Sequence, residues 1–182
     1  MLATRPISSA VGVSPAVRIL GVDPGSQVTG FGVVDRIRGK VVLVEQGCIR
    51  AGRGDDFAAR LRVIYEELCA VIVRTTPSVV AVESPFHGLN AKSVIQLAHA
   101  RGVILLAAAV HQIPVAEYSP RSIKSAVVGY GAAEKSQVEK MVRLLVSGAA
   151  AAKIGADAAD ALAVAVCHAH TGGSAARMRV RG

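Results

Sequence analysis

The sequence predicts an α/β fold, a mixed five-stranded sheet with helices on both faces. Three observations carry this. Val- and Ile-rich runs at about 17–22, 30–36 and 41–49 follow one another with Gly-containing turns between them, the pattern of consecutive antiparallel strands. Two later apolar runs, 78–83 and 114–118, alternate with helix-length segments, which makes the sheet mixed and covers its faces. At 182 residues and 52% hydrophobic content, the chain is long and apolar enough for one domain with a real core.

The helices follow in order. Phe57, Leu61, Ile64, Leu68 and Ile72 recur at helical spacing within 54–75, and Asp55 or Asp56 caps the start. Residues 90–110 form a long helix. Its run "GVILLAAAV" (102–110) is too short to span a bilayer and reads as a buried helix. Ser119 followed by Pro120 starts a short helix over 119–129. Residues 133–147 are amphipathic and stop at Gly148, and 155–170 is a final Ala-rich helix. The expected organisation is a flexible extension at 1–16, one domain at 17–170, and a disordered basic tail at 171–182 carrying Arg177, Arg179 and Arg181.

The formal net charge is +8, which favours a polyanionic partner, nucleic acid or an anionic membrane surface. Cys48, Cys69 and Cys167 show no paired spacing, and the first sixteen residues lack a continuous apolar segment with secretory character. Both features fit a reducing, cytoplasmic setting and no membrane partner.

Four acids stand in apolar surroundings. Asp23 ends the strand "RILGVD" and is followed at once by Pro24 and Gly25; Glu83 ends "VVAVE". Asp157 and Asp160 lie three residues apart on one side of the Ala-rich helix. Each has an ordinary reading: Asp23 as a turn residue, Glu83 paired with a core Arg, Asp157 favoured by the helix dipole. Brought together, the four would raise one another's pKa unless a cation neutralised them. Oxygen-only donors suit Mg²⁺ or Mn²⁺, and two such ions per site are what phosphodiester hydrolysis uses.

"GVDPGSQVTGFGVV", "VAVESPF", "ARGVILLAAA", "IKSAVVGYGAAEKSQVEKMV" and "DAADALAVAVCHAH" together resemble the RuvC family of Holliday junction resolvases. The resemblance runs in order from about residue 17 to 170. It implies an RNase H-like fold, a homodimer, and metal-dependent cleavage of four-way DNA junctions by paired symmetric nicks. The products would carry a 5′-phosphate and a 3′-hydroxyl. It also implies a branch-migration complex (RuvA and RuvB) as partner. Asp23, Glu83, Asp157 and Asp160 become the metal-binding catalytic acids, and Lys124 and Lys135 phosphate contacts. Phe86 becomes an aromatic that stacks on junction bases. Tyr130, in an expected loop, offers a second stacking ring. Without the resemblance the lysines read equally as a solvated helix face, and Phe86 as ordinary packing. Gln27, Leu89 and the Ala98-His99 pair depart from the family's usual residues and bear on DNA contacts, leaving the acids untouched. His168 recurs eight residues after Asp160 on roughly the same helix side.

Three rivals compete. An actin-like ATPase shares the Asp-x-Gly turn but needs two related domains. A ribonuclease H acting on RNA–DNA hybrids would use the same metal chemistry. A non-catalytic junction-binding protein would not need four acids.

Overall fold

The structure, a computed structural model, describes residues 16–54, 56–84 and 91–179. Strands β1 (Val17–Asp23), β2 (Val28–Ile37) and β3 (Lys40–Arg50) form an antiparallel meander, as their alternation requires. Helix α1 (Phe57–Thr75) follows, then β4 (Val79–Glu83), α2 (Ala91–Val110), β5 (Val115–Tyr118), α3 (Pro120–Val128), α4 (Lys135–Leu145), β6 (Val146–Ser147) and α5 (Ala156–Arg179). The sheet order is β5-β4-β1-β2-β3-β6, with β4 parallel to β1, β5 parallel to β4 and β6 parallel to β3.

The sheet therefore has six strands, one more than the sequence reading gives. The sixth is two residues long, pairs Val41 with Val146 and Val42 with Ser147, and is hidden at the end of what reads as one amphipathic helix. The turn after it uses Gly148 at φ +92°, where a side chain would be strained.

The helix starts follow their capping chemistry. The Asp56 carboxylate accepts the Ala59 N–H at 2.9 Å, and the Ser119 hydroxyl accepts the Ser122 N–H at 3.1 Å with Pro120 behind it. Helix α5 continues to Arg179, past residue 170, where the sequence reading places a disordered tail. Residues 1–15 of the expected extension lie outside the described residues.

Two cores flank the sheet. On one face Leu20, Val22, Val33, Val80 and Val82 pack with Ile64, Leu68 and Ile104 of α1 and α2. On the other, Ile19, Val34 and Ala81 pack with Ile123, Val142 and Leu162 of α3, α4 and α5. Helix α2 bears out the long helix read over 90–110 and corrects its expected burial. The run at 102–110 belongs to a 20-residue helix that is, by length and composition, apolar enough to cross a membrane. It is also not wholly buried. Ala100, Ile104, Ala107 and Ala108 face the core, whereas Val94, Ile95, Leu106 and Val110 are exposed.

Helix α5 lies against the sheet with almost nothing between them. A Cβ on Gly21 would sit 2.2 Å from the Ala161 carbonyl oxygen, and one on Gly30 only 2.0 Å from that of Asp157. These strand glycines allow the close approach. Because Gly30 is also the register partner of Asp23, the contact brings the first turns of α5 beside the end of β1.

Candidate active site

Asp23 is the last residue of the central strand β1, and its loop is tied down. The Thr29 hydroxyl, fully buried, donates to the Gly25 carbonyl at 2.8 Å, and the Ala51 N–H donates to the Gln27 carbonyl at 2.9 Å. Glu83 ends the neighbouring parallel strand β4. Asp160 comes from α5. Glu83 and Asp160 line an open cleft of about 240 Å³ together with Lys124 of α3 and Lys135 at the start of α4, over a floor that includes Ile123 and Val138.

The electrostatics bind these groups into one unit. Burial, then the negative charges of Glu83 and Asp160, push the Asp23 carboxyl up to about 8. Burial also raises Glu83, although a hydrogen bond with Asp23 and the charges of Lys135 and Lys124 pull the other way. At neutral pH Asp23 thus carries the proton of the pair and donates it toward Glu83. Lys135 Nζ is ion-paired with Asp160, which raises the lysine and gives the acids their nearest positive charge.

Of the residues expected from the sequence, Asp23, Glu83, Asp160, Lys124 and Lys135 come together. Asp157 is set aside toward β3, with its Oδ2 4.0 Å from the Cys48 thiol, although its charge still reaches Lys135. Tyr130 is exposed in the α3–α4 connection, and its hydroxyl donates to Gln137 Oε1 at 2.9 Å. Phe86 lies outside the described residues. His168 points elsewhere: its Nδ1 is 2.8 Å from the Tyr118 hydroxyl, near the opposite end of the sheet from the cleft, beside Val17 and Arg36.

The sequence reading overlooked four contributors. Thr29 locks the loop after Asp23. Gly21 and Gly30 set the depth of α5, and glycines inside apolar strands were the available signal. Cys48 touches Asp157, and nothing in its spacing marked it.

The donor chemistry fits a hard divalent cation: Glu83 and Asp160 line one cleft beside the buried Asp23, whose carboxyl is raised by burial first and by its acidic neighbours second. Among the described residues, no three His, Cys, Asp or Glu side chains already form a closed ligand set. Metal binding therefore involves side-chain adjustment around Asp160 and its lysine.

The comparisons with known proteins point the same way. The family model "Crossover junction endodeoxyribonuclease RuvC" matches residues 19–168. The chain belongs to the RuvC family. A relative in Geobacter metallireducens, also called crossover junction endodeoxyribonuclease RuvC, is 45% identical over 157 residues, which is 86% of this chain and 94% of that protein. Among solved structures, Thermus thermophilus RuvC superposes with a TM-score of 0.79 at 31% identity, covering 90% of this chain and 97% of that one. The same T. thermophilus protein in complex with a Holliday junction substrate gives a TM-score of 0.78 at 30% identity, covering 90% and 96%. The RNase H-like architecture expected from the resemblance is therefore present, with the extra strand β6.

Proposed function

We propose that this RuvC-family nuclease resolves four-way DNA junctions by paired symmetric nicks, in recombination and repair, leaving 5′-phosphate and 3′-hydroxyl ends. The carrying observation is the cleft in which Glu83 and Asp160 meet Lys124 and Lys135, with the buried Asp23 carboxyl hydrogen-bonded to Glu83 beside it. Carboxylates alone would repel a DNA backbone, whereas two lysines at the rim draw a phosphate across them.

Mg²⁺ or Mn²⁺, two per site, would supply activation of the attacking water and charge neutralisation at the leaving 3′-oxygen. Asp23 would be the ligand shared by both ions, because it ends the central strand and its loop is pinned by Thr29. Glu83 from β4 would hold one ion and Asp160 from α5 the other, joined by Asp157 once its side chain turns from Cys48. Lys135 leaves Asp160 for the scissile phosphate and steadies its developing charge, and Lys124 contacts a neighbouring phosphate. Tyr130 and Phe86 stack on unpaired bases at the crossover.

Two matched nicks require two sites related by a two-fold axis. The exposed face of α2, where Val94, Ile95, Leu106 and Val110 surround the small exposed residues Ala98, Gly102 and Ala109, supports a homodimer through this helix. The proposed setting is cytoplasmic, with a branch-migration complex of the RuvA and RuvB type as partner.

The test is cleavage of a labelled synthetic four-way junction beside linear duplex and an RNA–DNA hybrid, with Mg²⁺ or Mn²⁺ and with EDTA. Symmetric nicks confined to the junction, lost in EDTA and with Asp160→Asn, are expected. Cleavage of the hybrid instead would make the protein a ribonuclease H. Tight junction binding without cleavage under any metal would make it a non-catalytic binder.

A further inference from the structure

The support of Glu83 is one-sided. Pairing between β4 and β1 stops at Val82 opposite Val22, and Asp23 pairs with Gly30 of β2 instead. Among the described residues, the β4 backbone beyond Val82 is held by β5 alone, through the Glu83–Tyr118 pair and the Ser84 N–H donating to the Tyr118 carbonyl at 2.8 Å. Strand β5 is itself an edge strand of four residues, a poor anchor for a catalytic acid.

The edge is latched from both sides. Tyr118 reaches α5 on the face of the cleft, its hydroxyl on His168. Glu117 points the other way, as strand alternation requires. There its carboxylate forms an ion pair with Arg101 of α2, and its Oε2 accepts from the Ser84 hydroxyl at 3.1 Å. Ser84 directly follows Glu83. One guanidinium thus ties α2, the end of β5 and the residue after Glu83 into a single joint behind the site.

We propose that Arg101 and Glu117 are positioning residues for Glu83, fixing the end of β4 so that this carboxylate keeps its place in the metal site. The proposal rests on the metal-dependent nuclease reading above. It extends that reading to two residues outside the cleft and to the helix on the far face of the sheet.

The experiment measures Mn²⁺ binding to the DNA-free full chain by titration calorimetry, with cleavage and junction binding alongside. The variants are Arg101→Ala, Glu117→Gln, their combination and Arg101→Lys, with Arg62→Ala in an exposed α1 ion pair as control. Loss of a group that orients a metal ligand costs about 10-fold or more in metal affinity. We expect each of Arg101→Ala and Glu117→Gln to weaken Mn²⁺ binding by about that factor, and the double variant to be no worse than the weaker single. Arg101→Lys should recover part of the loss. Junction binding by Glu117→Gln in EDTA should be unchanged. If Arg101→Ala fails to fold, the nearly isosteric Glu117→Gln carries the test. Wild-type Mn²⁺ affinity in folded Glu117→Gln would overturn the proposal. So would a defect confined to the DNA affinity of Arg101→Ala, which would make Arg101 a DNA contact. The expected Mn²⁺ pattern in a chain that cleaves no junction would keep the proposal and overturn the resolvase reading.

Discussion

Replacing Asp23 with Asn should stabilise the metal-free protein, and more so as pH rises. The carboxyl titrates near 3.8 in the unfolded chain and near 8 in the folded one. Between these values the folded state holds the proton more tightly. The stability this provides is complete below about pH 4 and is lost progressively as pH climbs through 8. Moving the titration from 3.8 to about 8 corresponds to roughly 6 kcal/mol. Glu83 is raised by burial beside it and loses the hydrogen bond from Asp23 that pulls it down, so about half of this, ~3 kcal/mol, is expected from Asp23→Asn alone. The assay is urea denaturation of both proteins in EDTA at pH 4.5, 7 and 9. The stability difference should be small at pH 4.5 and grow to ~3 kcal/mol in favour of Asn at pH 9. A difference independent of pH, or an Asn variant less stable at pH 9, would refute the reasoning that burial and crowded negative charge raise this group.

Other expectations concern the rest of the machinery. Asp160→Asn should lose at least about 100-fold in junction cleavage while junction binding in EDTA holds or tightens, because a negative charge leaves the cleft; gel shifts and single-turnover rates check this. Gly30→Ala should cost about 2 kcal/mol or more, since its methyl meets the Asp157 carbonyl at 2.0 Å, and the melting temperature should fall even without metal. Leu106→Glu on the exposed face of α2 should turn the proposed dimer into a monomer in sedimentation, with each monomer keeping its fold. Lys135→Ala should slow cleavage and reduce the salt dependence of junction binding by about one released counterion.

Much of the fold was legible because its elements announce themselves locally. The alternation of β1 to β3, the cap at Asp56 and the Ser119-Pro120 start are written in neighbouring residues. The short strand β6 was not, since two residues cannot establish a period and its pairing partner lies a hundred residues earlier in β3. Three of the four acids were legible because a carboxylate at the end of an apolar strand or inside an Ala-rich helix conflicts with its surroundings. Their separation was not. Whether Asp157 joins Asp160 depends on how α5 sits on the sheet, and the sheet glycines decide that. The Arg101–Glu117 joint was illegible for a similar reason: two residues on different elements reveal their pairing only after the parallel crossover is made.

The contact of α5 with Gly21 and Gly30 has a consequence for the lifetime of the site. Side chains between two elements change rotamer easily, whereas backbones already touching have no soft layer to compress. Asp157 and Asp160 therefore move with β1 and β2 as one body, and no local opening can separate them without breaking the central sheet. The amides of α5 from about 160 to 167 should exchange with deuterium only through global unfolding. On that view the α5 backbone beneath the site lasts as long as the folded domain itself, and the motions of the cycle fall to the Asp160 side chain, the lysines at the rim and the end of β4.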